Sequence, residues 1–280
     1  MAETKSTVTA AGATAAKAGT SVQAKKSSNS VSWIAPVICL IAGVCFYAFV
    51  LGSSSNFVNN KGINWMGKMY EGGPIVPLLI TLLLIVIVFV IERFLTISKA
   101  LGKGNIADFV RKVQYHLANK NVDAALQECD KQQGSVANVM KAGLRKYKEM
   151  IGNSELDTEQ KVLTIQKEVE EATALELPML EKNLVFLSTI ASVATLIGLL
   201  GTVIGMIRAF SSLGDSGSSN AANDLAKGIS EALYNTALGI GTSATSIIMY
   251  NVFTTRIDSI TYGIDESGFT LTQSFASNYK

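Results

Sequence analysis

From Pro74 to Ile91 the chain carries no charged side chain, and Leu, Ile and Val supply most of the run Pro-Leu-Leu-Ile-Thr-Leu-Leu-Leu-Ile-Val-Ile-Val-Phe-Val-Ile. A helix drawn through it is apolar on every side, which suits only lipid or the company of other helices. At 1.5 Å per residue, about 20 residues cross a hydrocarbon layer roughly 30 Å thick. Pro74 to Leu95 therefore reads as a membrane span that ends with Glu92-Arg93 at headgroup level. Composition agrees: 16% of residues are charged, against about 25% in an average soluble domain. The deficit is local, because residues 95–182 hold 13 of the 24 Lys and Arg. The pattern excludes a uniform soluble globule and a disordered chain. The Lys and Arg form no aromatic-interleaved patch, so nucleic acid is not an indicated partner.

Three further runs are long and apolar enough to span. Residues 1–31, mostly Ala, Thr, Ser, Lys and Gly, read as a disordered cytoplasmic tail. Residues 32–52 form the first span; a signal peptide is the rival reading, but its apolar core is usually 7–15 residues, shorter than Trp33 to Leu51. Residues 53–73 are a periplasmic loop, 74–95 the second span, 96–182 a helical cytoplasmic domain and 183–210 the third span. Residues 211–228 are a short periplasmic loop, 229–253 the fourth span and 254–280 a cytoplasmic tail. Lys99, Lys103 and Lys182 beside the spans, with the basic N-terminal tail, put both termini on the cytoplasmic side. The fold class is all-α: a polytopic helical membrane protein whose long helices extend into a helical cytoplasmic domain.

Within that domain, Asn105 to Asn119, Val122 to Glu128 and Ser135 to Met150 show helical spacing, and Gly152-Asn153-Ser154 breaks it. Asp157, Thr158 and Glu159 suit a new helix N-terminus. Val162, Ile165, Val169 and Ala172 then make a narrow apolar seam. The helical pattern passes Pro178 into the third span, which predicts one helix of about 55 residues, roughly 80 Å long. Its seam needs a partner, and other copies of the chain are the economical candidate.

Chemistry-bearing motifs are few. Cys39, Cys45 and Cys129 make no disulfide framework, and without CxxC, HExxH or a His cluster there is no indicated metal or cofactor. His116 lies on a solvated helix face with no accompanying nucleophile or base pattern. No GxxxxGK[ST] phosphate loop is present, so ATP is not the energy source. The chain reads as no enzyme.

The last two spans differ in kind from the second. On a helical wheel Ser188, Ser192, Thr195 and Thr202 fall within about 80° of one another. Gly198, Gly201 and Gly205 supply small-residue spacing for helix packing. In the fourth span Glu231, Asn235, Thr242, Thr245 and Ser246 fall within about 100°, with Thr236 and Ser243 on a flank. Packing of small and hydroxyl residues explains such stripes by itself; a wetted interior is the competing reading for two of them on adjacent helices. Arg208 and Glu231 sit at the outer ends, where they form a candidate ion pair or are merely hydrated. Thr202 and Thr236 reach a similar depth, roughly 7–9 Å inside that charged layer. Mid-span positions offer hydroxyls but no carboxylate, His or Lys, so a proton path would need another subunit's titrating group.

Ile197-Gly198-Leu199-Leu200-Gly201-Thr202-Val203-Ile204-Gly205 resembles the LGLLGTVxG motif of the MotA/TolQ/ExbB proton channel family. Gly228 to Gly239 resembles its GIAEALxxTAxGL motif, and Tyr250-Asn251-Val252-Phe253 its YNxF close. The pattern is most like the ExbB members, then TolQ. The resemblance implies an inner-membrane homopentamer, in contact with phospholipids, enclosing an ExbD-like single-span partner whose transmembrane aspartate carries the proton. Proton-motive force would become motion passed to a TonB-like protein for outer-membrane uptake. By position Thr202 and Thr236 match the family's pore threonines and Glu231 its functional glutamate, with Thr195, Ser192, Asn235 and Thr242 added to the pore wall and Gly239 to the packing glycines. Two departures stand out: Lys227 replaces the usual proline before Gly228, and Trp33 to Leu51 is a span beyond the family's usual three. Competing functions are a TolQ- or MotA-like stator for constriction or motility, a non-conducting membrane scaffold, and a channel that conducts alone.

Overall fold

The computed structural model describes residues 30–58, 61–214 and 221–279. Most of the tail read as 1–31 and part of the loop read as 211–228 lie outside the described residues. The protein is an all-α polytopic membrane protein. Helix α1 (Ser30–Cys45) continues into wider π-type turns over Phe46–Leu51. A two-residue antiparallel pair, β1 (Phe57–Val58) and β2 (Lys61–Gly62), and the short α2 (Trp65–Tyr70) follow. Then come α3 (Val76–Leu101), α4 (Ile106–Ala118), α5 (Val122–Gln132), α6 (Gly134–Ile151), α7 (Thr158–Glu181), α8 (Leu184–Gly214) and α9 (Ala221–Asn278). The segment read as the loop 53–73 thus carries folded structure of its own.

By length and composition, three stretches among the described residues can cross a membrane: Ile34–Leu51, one in the stretch starting at Val76, and one in the stretch ending at Ser212. Helix α9 is not among them, because Asn235, Thr242, Ser243, Thr245, Ser246 and Asn251 dilute its apolar residues. Its place beside α8 makes it a span only under the proposal below.

Helix ends follow local chemistry. The side chains of Asn105, Asn121 and Asp157 accept from the N–H groups of Ala107, Ala124 and Gln160 at 2.9, 3.0 and 2.7 Å, each satisfying an otherwise orphaned helix-start donor. Helix α7 passes through Pro178 and stops at Glu181; Asn183, at φ +67°, turns the chain before α8 begins. The single 55-residue helix is therefore two, broken at Lys182-Asn183 and not at the proline.

That break is clamped. Arg93, 2% exposed, donates Nε and Nη2 to both oxygens of Glu92 at 2.7 and 2.5 Å. Its Nη1 reaches the carbonyls of Leu180 and Met179 at 3.1 and 3.4 Å, and Asn183 donates to Glu92 at 3.2 Å. A cation on the last carbonyls of α7 is favoured by the helix dipole and caps acceptors left over at the end. Whatever its depth, Glu92-Arg93 is thus an internal joint between α3 and the α7–α8 corner. Asn183 is read from the fold alone, since no periodicity marks it.

The helical domain has one core. Phe109, Val113 and Leu117 of α4, Ala125 and Cys129 of α5, and Val139, Met140, Leu144 and Tyr147 of α6 are buried together. Ile165 and Val169 of α7 join them, with Val162 and Ala172 packed alongside. The other wall is the far half of α9, through Ile257, Ile260, Ile264, Leu271 and Phe275. Two expectations change here. The α7 seam is covered by the chain's own α6 and α9, not by other copies. The segment 254–280 is no tail: its apolar residues recur at helical spacing, and the Ser, Thr and Gly between them hid the pattern. Likewise 221–228 is helical, being the first two turns of α9.

Two outcomes follow. Phe275→Ala removes a fully buried ring stacked edge-on to Tyr147 at 4.9 Å and should cost about 3–5 kcal/mol. Hydrogen exchange of the α6 amides in the full chain measures it; unchanged protection would show that α9 is not part of this core. Burial pushes the Cys129 thiol up to about 12. A thiol protonated throughout the neutral range is a poor nucleophile. In a Cys39→Ser, Cys45→Ser background, maleimide should label Cys129 slowly at pH 7, about tenfold faster for each pH unit until denaturation exposes it.

Candidate functional site

Helices α8 and α9 lie antiparallel and nearly touch through their backbones. A Cβ placed on Gly239 would stand 2.7 Å from the Ala194 carbonyl oxygen and 2.8 Å from Gly198 Cα. One on Gly201 would meet Asn235 Cβ at 2.5 Å, and one on Gly205 the Gly228 carbonyl oxygen at 2.9 Å. Leu187 with Ser246, Ala191 with Ser243, Gly198 with Gly239, and Gly205 with Gly228 and Ala232 mark one continuous register. Small residues are needed because lipid gives no hydrophobic drive between helices, so close packing must hold them. Ser246 donates to the Leu187 carbonyl at 2.7 Å and Ser243 to that of Ala191.

This register sorts the polar residues. Asn235, Thr242 and Ser246 are wholly buried within the chain, on the face of α9 turned to α8 and α3. Asn235 donates from Nδ2 to the Gly72 carbonyl at 3.0 Å, while its Oδ1 and the Thr242 hydroxyl have no hydrogen-bond partner among the described residues. Thr195, Thr202 and Thr236 are half-buried, and Ser192 and Thr245 are exposed. Thr202 and Thr236 bond back to Leu199 and Ala232 at 2.5 and 3.2 Å. With Gly201 opposite Asn235, they occupy neighbouring levels along the pair. Thr202 also opens a groove along α8 with Val203, Met206, Ile207, Phe210 and Ser211. The seven residues read from the sequence as a pore wall thus separate into an inward pair, Asn235 and Thr242, and a group that reaches the chain's own surface.

Toward the end of the pair where α8 stops and α9 begins, Arg208 Nη1 lies 2.8 Å from Glu231 Oε1. The arginine side chain is 51% exposed, the glutamate 11%. What covers the glutamate is the turn between α2 and α3: Gly73, at φ +81°, lies so near that a Cβ there would be 1.9 Å from Glu231 Oε1. Sequence motifs gave no hint of Gly72 and Gly73, whose partners are roughly 160 positions away along the chain. Among the described residues, no group of three or more His, Cys, Asp or Glu side chains could hold a metal.

Gly239→Leu should force α8 and α9 apart at a cost above the usual overpacking range of about 1–3 kcal/mol. Gly241, which has open space beyond it, is the matched control: Gly241→Leu should leave the thermal midpoint of the detergent-solubilised chain unchanged while Gly239→Leu lowers it. Equal effects would mean the backbone contact does not hold the pair.

The comparisons with known proteins fall on the same helices. Residues 131–266, from the end of α5 into the far half of α9, match the model of the MotA/TolQ/ExbB proton channel family. ExbB-like protein 3 of Synechocystis is 42% identical over 87 residues, 30% of this chain and 41% of that protein. The Tol-Pal system protein TolQ of Haemophilus influenzae is 41% identical over 86 residues, 30% of this chain and 37% of that one. The biopolymer transport protein ExbB of Aquifex aeolicus is 37% identical over 78 residues, 28% of this chain and 52% of that one. The chain spans about two fifths of the first two relatives and half of the third, and α1 to α4 fall outside the family match. Residues 131–266, just under half of the chain, hold α8, most of α9 and the Arg208–Glu231 pair, and it is through them that the chain is similar to the MotA/TolQ/ExbB proton channel family.

Proposed function

We propose that this chain is a proton-channel subunit of a bacterial inner membrane, with four spans and both termini cytoplasmic. It works without enzymatic chemistry as one wall of a homopentamer. The observation that carries this reading is the division of polar groups on α8 and α9. Between the outer Arg208–Glu231 pair and the cytoplasmic ends, residues 184–207 and 232–253 contain no Asp, Glu, His, Lys or Arg. Yet Ser192, Thr195, Thr202 and Thr236 reach the surface of the isolated chain. Proton carriage through a membrane ordinarily uses an ionisable group at depth. A row of hydroxyls beside an absent carrier therefore fits a wall, with a single-span ExbD-like partner bringing the carboxylate. Asn235 and Thr242, enclosed by the chain itself, hold the wall in shape.

Proton-motive force would then become mechanical work passed to a TonB-like protein for outer-membrane uptake. A TolQ-like role in envelope constriction is the second reading, favoured by the identity to the Haemophilus influenzae TolQ. The partner that co-purifies separates the two: an ExbD- and TonB-like pair supports uptake, a TolR- and TolA-like pair the second role. Thr202→Ala combined with Thr236→Ala tests the shared core of both. Each hydroxyl bonds only within its own helix, so the double variant should assemble normally and reduce proton flux in vesicles at least tenfold. Undiminished flux, or undiminished function in cells, would favour a non-conducting scaffold. Flux by this chain without its partner would remove the partner-dependent reading.

A further inference from the structure

The helix α1 and the small hairpin and helix that follow it lie outside the family match, and no motif gives them a task. Their contacts converge on one point. Tyr47, in the π-type turns that extend α1, donates to the carbonyls of Tyr70 at 3.2 Å and Gly73 at 3.4 Å. Its ring stacks on that of Tyr70 with centroids 4.7 Å apart, and Phe57 meets Tyr70 edge-on at 5.5 Å. Asn56 closes the π-type turns by donating to the carbonyls of Val50 and Leu51 at 2.7 and 3.2 Å. The turn held by these bonds presents its backbone to α9: Gly72 accepts from Asn235, and Gly73 lies against Glu231. Trp65 of α2 adds an edge contact to Tyr234 at 6.0 Å. Below, Gly43 admits α3 so closely that a Cβ would be 2.3 Å from Thr81 Oγ1. The small unit is thereby seated on α3 as well as on α9.

We propose that Tyr47 and the Gly72-Gly73 turn are positioning residues for Glu231. The α1 unit is an outer cap that holds the carboxylate on Arg208 and limits its contact with water. The inference rests on the proton-path reading of Glu231. It adds that proton access from outside requires the turn to lift. The geometry suits a cap that moves. Both Tyr47 bonds are long for an O–H donor, and π-type turns interrupt regular helical bonding and recur at functional sites. The turn itself tolerates only glycine at position 73, because φ is +81° and a side chain would collide with the carboxylate. The groups facing Glu231 are Arg208 of α8, Tyr47 from the α1 extension and the backbone of Gly73, with Lys227 one turn earlier on α9 and Asn235 one turn later.

The test uses the full chain with its co-purifying partner in vesicles, reading proton flux against the pH of the outer face. Tyr47→Phe removes the one hydroxyl that makes both bonds while keeping the ring stack. Gly73→Ala places a methyl group where the carboxylate lies. Both loosen the turn over Glu231, so both should raise flux driven from the outer face by about threefold. Neither should move anything in a Glu231→Gln background. A loss of flux in both variants, or flux identical to the parent while Glu231→Gln abolishes it, would overturn the cap and leave the proposed function standing. Full flux in Glu231→Gln alone would overturn the proton-path reading and the cap with it. Should Gly73→Ala fail to assemble, Tyr47→Phe carries the same outcomes.

Discussion

Nearly everything around the Arg208–Glu231 pair depends on two helix backbones coming into contact without side chains between them. Where α8 meets α9, Gly198, Gly201, Gly205, Gly228 and Gly239 remove the spacing that ordinary side chains impose. In lipid, association comes from van der Waals packing and interhelical hydrogen bonds rather than from burial of apolar area. The contact sets the levels of Thr202 and Thr236, pushes Asn235 into the interior, and brings Arg208 to Glu231 from residues 23 positions apart. A methyl group at Gly239 would shift all of these together, because each is referred to the same register.

The helical domain is organised on different physics. Its core is an ordinary apolar cluster in which α9 supplies one wall and α4 to α7 the others. Arg93 joins the two halves by placing a guanidinium on the final carbonyls of α7 while Glu92 neutralises it. A buried pair of this kind contributes little net stability against an apolar substitute, but losing one partner leaves a charge uncompensated. The joint thus fixes how α3 meets the α7–α8 corner rather than adding much to the strength of either half.

How much of this was legible in the sequence depended on whether the signal was local. Span three and its glycine spacing could be read directly, as could the helix start at Asp157 and the separation of α4, α5 and α6. The far half of α9 was read as a tail because Asp258, Asp265 and Glu266, with Ser, Thr and Gly, lie among its Ile257, Ile260, Ile264 and Leu271 and weaken any average while leaving the buried face intact. The α7 seam was seen, but its partner was not. A single helix shows that a stripe needs covering and cannot show by what. Glu92-Arg93 looked superficial because charge beside a span normally is. Gly72 and Gly73 were invisible, since their role exists only against residues on a helix far along the chain.

Asn183 has a consequence for how such a chain can change over time. Its left-handed turn uncouples the rotational phase of α7 from that of α8. Residues can be inserted or lost in α7 without turning the glycine face of α8 away from its neighbour. Helix α9 has no such break over its 58 residues, about 87 Å at 1.5 Å each. A single inserted residue near Phe253 would rotate everything beyond it by about 100°, carrying Ile260 and Leu271 off the core. Length variation should therefore accumulate on the α7 side of the domain, while α9 tolerates only changes that conserve whole turns.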